Sequence, residues 1–187
     1  MRVLGISGSL RRDSLNSALL RTAAERLPAG TGLVPFERLR EIPPYDADVE
    51  LVETPDAARE LREAMRGADA VLIATPEYNH SIPGVLKNAL DWASRPAGQS
   101  ALNGKPAAVI GASTGMFGAV WAQAETRKVL GALGGRVLEA ELPVAGADRL
   151  LRDGRLELDP QQSERLEEML AELVAAAEES AQLAAAA

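Results

Sequence analysis

Uninterrupted apolar segments alternate along the chain with segments whose apolar residues recur at helical spacing. The clearest apolar runs cover residues 3–6, 69–75 and 106–112, and none of them alternates apolar with polar positions. Short continuous runs of this kind are typical of strands that are buried on both faces, as in a parallel sheet. Residues 33–36 indicate a weaker strand and residues 136–142 an edge strand, so the pattern predicts five strands.

Helical periodicity fills the gaps between the predicted strands. The predicted helices cover residues 15–27, 83–94 and 118–132, and two more begin at Thr54-Pro55 and Asp159-Pro160. A capping residue followed by proline is typical of a helix start, and Gln162 can complete a capping box with Asp159. The alternation of strands and helices predicts a doubly wound parallel α/β sheet with helices on both faces.

Two strand orders are open for such a sheet, the flavodoxin-like order 2-1-3-4-5 and half of a Rossmann sheet. In the flavodoxin-like order the first, third and fourth strands are neighbours. The loops that follow them, residues 7–14, 76–82 and 113–117, would then meet at one crevice. Ligands of such sheets bind at the carboxyl ends of the strands, so this crevice is the first candidate for a binding site.

Length and composition restrict the class of protein. The 187 residues suit a single domain, which we expect over residues 1–180, with the alanine-rich residues 181–187 frayed or disordered. The net charge of −7 disfavours binding to nucleic acid or to an anionic membrane. The absence of cysteine excludes disulfides, thiolate metal sites and a cysteine nucleophile. Without a signal peptide or a long apolar run, the chain is expected to be soluble and cytoplasmic.

The first loop, SGSLRRDS, leads from a predicted strand into a predicted helix. A helix N-terminus presents unpaired N–H groups and a partial positive charge, which together attract anions. Arg11 and Arg12 add positive charge, and Ser9, Ser14 and Asn16 add short hydrogen-bonding side chains. The loop matches none of the motifs G-x-x-x-x-G-K-[ST], G-x-G-x-x-G or G-x-S-x-G. Either a phosphate cradle or a capped helix behind a solvated basic turn accounts for it.

The second and third loops carry groups that suit a flat ligand. In the second loop, TPEYNHSIPG, Tyr78 offers a planar face, and Glu77 and Asn79 offer polar edges. In the third loop, ASTGMFGAV, small residues permit close approach of the backbone to a ring. Met116 and Phe117 are unusual in a solvated turn and indicate an apolar ledge or a contact with a second subunit.

The single histidine raises the alternative of a serine hydrolase. His80 would have to lie beside Ser7 or Ser9, with a carboxylate behind it. A loop histidine without a chemical role is the simpler interpretation, because the turn around Ser7 lacks the final glycine of a nucleophile elbow. The sequence also lacks a cluster of His, Asp and Glu at metal-ligand spacing, so no metal site is predicted.

Two of these loops resemble the signatures of the NADPH-dependent FMN reductase family, flavodoxin-fold flavoenzymes that include quinone, azo and chromate reductases. Gly8-Ser9-Leu10-Arg11 and Ser14-Leu15-Asn16 are similar to the family's phosphate loop, GSxRxxSxN. The run from Pro76 to Trp92 is similar to its second signature, PEYNxSxPGxLKNAxDW, and Ser113-Thr114-Gly115 to its third flavin loop. The resemblance extends over residues 1–175 and favours the five-stranded sheet order 2-1-3-4-5.

The resemblance implies an FMN-dependent NAD(P)H oxidoreductase that transfers two electrons as hydride from NADPH or NADH, through FMN, to a quinone, flavin, azo or similar small-molecule acceptor. A non-enzymatic carrier of the flavodoxin type is the alternative. The flavin N5 would carry the chemistry, so no side chain is assigned a catalytic role. The family also implies a homodimer or a dimer of dimers.

The family motifs divide the cofactor among the three loops. The first loop would hold the phosphate, the second would line the edge of the isoalloxazine ring, and the third would flank the ring or the ribityl chain. Arg11 matches the arginine of the phosphate motif, whereas a role for Arg12 in binding the phosphate is left open. The residues implied to bind FMN are Ser9, Arg11, Ser14, Leu15, Asn16, Pro76, Glu77, Tyr78, Asn79, Ser113 and Gly115.

Overall fold

A parallel sheet forms the centre of the computed structural model, which describes residues 1–186. Its strands are β1 (Arg2–Ser7), β2 (Gly32–Pro35), β3 (Ala70–Thr75), β4 (Pro106–Ala112), β5 (Arg136–Val137) and β6 (Pro143–Val144). The order is β2-β1-β3-β4-β5, with β6 also pairing with β4, and every pair is parallel. The flavodoxin-like order is therefore confirmed over the Rossmann half, and β2 is an edge strand.

Helices cover both faces of the sheet. They are α1 (Leu15–Ala24), α2 (Ala47–Val52), α3 (Asp56–Gly67), α4 (Gly84–Ala93), α5 (Val120–Ala132) and α6 (Pro160–Ala186). The apolar residues of α1 and α6 pack in one core cluster, and those of α3, α4 and α5 pack in the other. Every residue of β3 and β4 is buried. Burial on both faces explains why these strands show no alternation of apolar and polar residues.

The fifth strand position is occupied by two short segments instead of one strand over residues 136–142. The Leu138 N–H donates to the Ala107 carbonyl at 2.9 Å, and the Gly111 N–H donates to the Leu142 carbonyl at 3.1 Å. Between these bonds the chain leaves the ladder, and this excursion carries Glu141 to an ion pair with Arg127 of α5. Leu138 and Leu142 are both buried and Glu141 has an ion-pair partner, but the strand is interrupted between the two leucines.

A small hairpin that the apolar pattern did not predict packs beside α1. It joins β7 (Leu151–Arg152) to β8 (Arg155–Leu156) through a turn in which Asp153 and Gly154 both have positive φ. Asp-Gly is a favoured pair for such a turn, so the sequence held a signal for it. The hydroxyl of Thr22 accepts the Leu156 N–H at 2.9 Å and attaches the hairpin to α1.

Two helix starts test the capping predictions. The capping box at α6 is confirmed, because the Gln162 N–H donates to the Asp159 carboxylate at 2.8 Å and the Asp159 N–H donates to Gln162 at 3.3 Å. At α3 the helix begins one residue later than expected. Pro55 occupies the capping position, and Thr54 makes no side-chain cap bond.

The carboxyl-terminal helix extends over most of the predicted tail. α6 continues to Ala186 with exposed side chains over residues 181–186, and Ala187 lies outside the described residues. Fraying of this tail and a single domain over residues 1–180 stay predictions. Within residues 1–186, no helix combines the length and apolarity needed to cross a bilayer.

Candidate functional site

The three polar loops after β1, β3 and β4 lie side by side, because these strands are neighbours in the sheet. All three line one small pocket of about 100 Å³, which we call the loop pocket. Nine of the eleven predicted cofactor residues line it, namely Ser9, Arg11, Ser14, Leu15, Asn16, Pro76, Glu77, Tyr78 and Ser113. Asn79 and Gly115 lie outside its lining, whereas Ala112 and Thr114 belong to it.

Close packing at Gly8 brings the first and second loops together. A Cβ at this position would lie 3.2 Å from Cδ of Pro76 and 3.0 Å from Cδ2 of Leu86. The Gly8 N–H donates to the Ala74 carbonyl at 2.8 Å, so the strand pairing continues one residue into the loop. The first loop therefore leaves the sheet directly against the start of the second.

The N-terminus of α1 faces the loop pocket with its first turn. Ser14 is the capping residue, and its Oγ accepts the Ser17 N–H at 3.1 Å. The same Oγ lies 3.5 Å from Oγ of Ser7, and a hydroxyl that accepts these bonds still has its own proton to donate. The N–H groups of Leu15 and Asn16 donate to no acceptor in the described chain. Two backbone donors and one hydroxyl are thus present at the positive end of the helix.

Asn16 has a different side-chain role from the one the family motif suggested. Its Nδ2 donates to the Ala112 carbonyl at 2.9 Å, and its Oδ1 accepts the Ala112 N–H at 3.0 Å. The residue is buried, with 2% of its surface exposed. The side chain therefore attaches α1 to the end of β4, and the backbone N–H is the group of Asn16 that remains for an anion.

The two adjacent arginines of the first loop have different surroundings. Arg11 lines the loop pocket, whereas Arg12 does not. The Arg11 N–H donates to Oγ of Ser9 at 3.4 Å, which tightens the turn. Its guanidinium forms no ion pair with any residue from 1 to 186. Of the two, Arg11 alone lines the loop pocket in the described residues, and which arginine contacts a phosphate stays a prediction.

The second loop contains a tight turn that presents Tyr78. The backbone groups of Tyr78 and Ser81 exchange two hydrogen bonds of 3.1 Å. Asn79 and His80, between them, both have left-handed backbone conformations with φ of 53° and 60°. Asn and His adopt this conformation more readily than most residues. The turn leaves Tyr78 at the rim of the loop pocket with 48% of its surface exposed.

Two glutamates fasten the second loop to α5. The Glu77 carboxylate accepts two first-turn N–H groups of α5, at 3.0 and 3.2 Å. In return, the Glu125 carboxylate of α5 accepts the Ser81 hydroxyl at 2.5 Å and the Ile82 N–H at 3.3 Å. The Ser81 hydroxyl, more than any other group, lowers the pKa of Glu125. We call these contacts the glutamate staple. The two residues of each contact are about 44 positions apart in sequence, so the periodicity of the sequence gave no signal for them.

Gly118 in the third loop allows close approach of the β6 backbone, whereas the sequence pattern was interpreted as close approach of a ligand ring. Gly118 has φ of 57°, and a Cβ there would lie 2.5 Å from the carbonyl carbon of Pro143 and 2.6 Å from the nitrogen of Val144. The sequence interpretation assigned the small residues of this loop to close approach of a ligand. At Gly118 the close approach is to the backbone of β6.

The residues of a serine hydrolase are not assembled. Nδ1 of His80 lies 3.8 Å from the Glu77 carboxylate, and its ring packs edge-on against Trp121 with centroids 4.7 Å apart. The Ser7 hydroxyl instead accepts a hydrogen bond from Ser17 at 2.9 Å. Within the described chain, neither Ser7 nor Ser9 bonds to His80, so the simpler interpretation of this histidine agrees with the geometry.

Comparisons with known proteins point to one family. Residues 1–148 match the family described as NADPH-dependent FMN reductase. An NAD(P)H-dependent FMN reductase of Pseudomonas aeruginosa is 45% identical over 175 residues, 89% of this chain and 94% of that protein. A 2-hydroxy-1,4-benzoquinone reductase of Burkholderia sp. is 45% identical over 129 residues, 69% of each.

A solved structure with the same fold is FerB of Paracoccus denitrificans, a flavoenzyme NAD(P)H:(acceptor) oxidoreductase. It superimposes with a TM-score of 0.83 at 34% identity and covers 96% of this chain and 98% of its own. The family match contains all three loops of the crevice, and it confirms the resemblance carried by the two motifs. The chain belongs to the NADPH-dependent FMN reductase family.

Proposed function

We propose that the loop pocket binds the phosphate end of FMN in an FMN-dependent NAD(P)H oxidoreductase. The observation that carries this proposal is the α1 N-terminus placed beside Arg11, whose guanidinium has no carboxylate partner within residues 1–186. The first-turn N–H groups of Leu15 and Asn16, the hydroxyls of Ser9 and Ser14, and this guanidinium are the donor types that a phosphate needs. The residues present therefore fit the group.

The rest of the cofactor is assigned to the other two loops. A pocket of about 100 Å³ has room for a phosphate and a few more atoms, so the flavin would extend out of it. We assign the ring edge to Pro76, Glu77, Tyr78 and Asn79, and the flank of the ring or ribityl chain to Ser113 and Gly115. When bound, FMN supplies the hydride chemistry, and the protein supplies binding and orientation.

The glutamate staple has a positioning role in this proposal. Glu77 directs its carboxylate at α5, so it supports the second loop from behind. Glu125 holds the same loop at Ser81 and Ile82. A loop fixed at both ends presents Tyr78 and the neighbouring backbone in one conformation, which lowers the entropy cost of ordering the loop when a ligand binds.

We propose a quinone or flavin as the electron acceptor. The name of the Burkholderia relative states a benzoquinone as its substrate. Flat acceptors of this kind suit a crevice whose rim is formed by the half-exposed ring of Tyr78. NADPH or NADH would serve as donor, and a cytoplasmic location would give access to both.

We propose that a second copy of the chain covers the rim of the crevice in a homodimer or a dimer of dimers. Met116, Phe117 and Trp121 are 80%, 53% and 40% exposed, and the two aromatic rings lie 4.8 Å apart. Together with Tyr78 they form what we call the apolar rim. Contiguous exposed apolar side chains next to a binding crevice favour a protein interface.

Flavin uptake and nicotinamide oxidation test the function. Purified protein mixed with FMN and passed through a desalting column should retain one yellow flavin per chain. Anaerobic addition of NADPH or NADH should bleach that colour, and a quinone should restore it. A protein that stays colourless, or a flavin-loaded protein that oxidises neither nicotinamide, would contradict the proposal.

A further inference from the structure

A cavity of about 520 Å³ lies beside the loop pocket, at the carboxyl ends of β1 and β2. It is bordered by the flank of α1, the first loop and the chain that follows β2, and we call it the β2 cavity. Ser9 and Arg11 line both spaces, whereas the second and third loops line the loop pocket alone. The volume is within the range of small-molecule sites, so the β2 cavity can hold a ligand of its own.

Small residues on β1 and α1 leave this space open. β1 contributes Gly5 and Ser7 to the lining, and α1 contributes Ser17 and Ala24. Where a helix packs tightly onto a sheet, larger side chains fill the space between them. The cavity therefore follows from the residues that these two elements carry at this edge of the sheet.

The inner wall of the β2 cavity is apolar. Leu20 of α1 and Leu39, which follows β2, are each 5% exposed, and Leu33 and Phe36 are half-buried. The Phe36 N–H donates to the Gly5 carbonyl at 2.9 Å, which fixes the chain just after β2. One aromatic ring among leucines offers a large contact area to a flat ligand.

The charged residues of the β2 cavity lie at its mouth, and most of them are positive. Its lining includes Arg11, Arg21 and Arg40 and a single carboxylate, Glu37, and all four residues are exposed. With Arg11 engaged by the FMN phosphate, the other three groups carry a net charge of +1 in a chain whose net charge is −7. A local positive charge of this size attracts a ligand with one negative charge.

Arg21 and Arg40 keep most of their hydrogen-bond donors for a ligand. Arg21 donates through Nε to the Gly154 carbonyl at 2.6 Å, and Arg40 donates through one terminal nitrogen to the Leu10 carbonyl. These partners are neutral, and each guanidinium has five N–H donors. Neither arginine pairs with a carboxylate within residues 1–186, whereas the nearby Arg38 pairs with two glutamates. Each can therefore still form a two-bond contact with a carboxylate.

We infer that the β2 cavity binds a flat aromatic monocarboxylate, with its ring on the apolar wall and its carboxylate at Arg21 and Arg40. A neutral aromatic compound would leave both guanidinium groups unused, and an aliphatic anion would make poorer contact with Phe36. A dianionic group would exceed the positive charge that remains beside Arg11. The ligand occupies a space separate from the FMN crevice, so its binding is a property beyond the proposed oxidoreductase function.

Calorimetric titration of the FMN-saturated protein with 2-naphthoate tests the inference, and 2-naphthamide is the uncharged probe of the same shape. Naphthoate should bind at one equivalent per chain. Its affinity should exceed that of naphthamide by about 10- to 100-fold, the gain expected for charge-assisted hydrogen bonds to a carboxylate.

Variants at the mouth of the cavity separate the two probes. Arg40→Ala should weaken naphthoate binding by about 10-fold and leave naphthamide binding as in the parent, whereas misfolding would weaken both. Arg21→Ala should act in the same direction. Glu37→Gln should strengthen naphthoate binding by about two- to fivefold, because it removes the repulsive carboxylate. The control Arg59→Ala removes an exposed arginine of α3 that lines no part of the cavity, and it should change either affinity by less than about twofold.

Three results would overturn the inference while leaving the proposed function intact. The first is a flavin-loaded protein that binds no naphthoate, and the second is equal affinity for naphthoate and naphthamide. The third is a naphthoate affinity that is the same in the Arg40 and Glu37 variants as in the parent, which would place the probe outside the β2 cavity. Failure of the proposed function has a separate signature, the absence of FMN uptake, and the same titrations of the flavin-free protein and its variants then still decide whether the cavity binds an aromatic carboxylate.

Discussion

Arg11 and Arg12 are adjacent in sequence and differ in what they face, which makes them a matched pair for mutagenesis. Arg11→Ala should weaken FMN binding by about 10- to 100-fold, because a guanidinium bonded to a phosphate contributes about 1.5–3 kcal/mol. Arg12→Ala should change the affinity by less than about twofold, since this side chain lies outside the loop pocket. Fluorescence titration of FMN measures both, and equal losses in the two variants would contradict the assignment of the phosphate to Arg11.

Asn16 matters for stability through its two bonds to Ala112. Asn16→Ala would leave a buried N–H and a buried carbonyl of β4 without partners, at a cost of about 1–3 kcal/mol for each group. Urea unfolding should show a lower midpoint with an unchanged slope. Asn103→Ala, which removes an exposed amide, is the control and should cost less than about 0.5 kcal/mol. Equal midpoints for the two variants would contradict this role of Asn16.

At the level of whole elements, Gly118 controls the contact between the third loop and β6. Gly118→Ala should destabilise the fold by about 2–4 kcal/mol, because it adds a left-handed alanine and a clash with the β6 backbone. Gly115→Ala is the matched control three residues earlier, where a Cβ meets only Oγ of Ser113 at 3.7 Å. Thermal unfolding compares them, and a Gly118 variant as stable as the Gly115 variant would refute the proposed contact.

The glutamate staple makes the attachment of the second loop to α5 dependent on pH. The pKa of Glu125 in the folded protein lies below its ordinary value of 4.5, chiefly through the Ser81 hydroxyl. A lowered folded-state pKa stabilises the protein above 4.5, and this contribution is lost as the pH falls below that value. Glu125→Gln keeps an acceptor that does not titrate, so its melting temperature should fall less between neutral and acidic pH than that of the parent.

The control for this measurement is Glu63→Gln, which changes an exposed glutamate on α3. It should leave the acid dependence of the melting temperature as it is in the parent protein. Because Glu125 is only partly buried, solvent screening keeps the expected difference small, and the sign is the informative result. An identical acid dependence in Glu125→Gln and the parent would contradict the staple.

Sequence patterns predicted the elements whose signal is local. Continuous apolar runs were enough to predict β3 and β4, and the capping box was enough to predict the start of α6. Burial and capping leave their signal in residues that are close together in sequence. The break in the fifth strand position was not predicted, because the apolar pattern of residues 136–142 is compatible with one strand and does not show where the chain leaves β4 between Leu138 and Leu142. The motifs lie in the three loops that line the loop pocket, but the contacts of Asn16 and Glu77 are with residues 96 and 44 positions away.

At the scale of the whole molecule, the apolar rim predicts self-association. Met116→Asp places a charge in the most exposed part of that rim, and sedimentation should show a shift of the protein towards monomer. Leu183→Asp changes an exposed leucine of α6 far along the chain and serves as the control, with the association state unchanged. A parent protein that sediments as a monomer at all concentrations would refute the proposed dimer.

The edge strand β2 has a consequence for how the molecule behaves at high concentration. It is four residues long, pairs with β1 alone, and ends at Pro35, which has no N–H to offer a new neighbour. Short edges that contain proline resist the addition of strands from other molecules. Concentrated or partly heated samples should therefore yield closed oligomers or amorphous aggregate instead of cross-β fibrils, which negative-stain microscopy would distinguish.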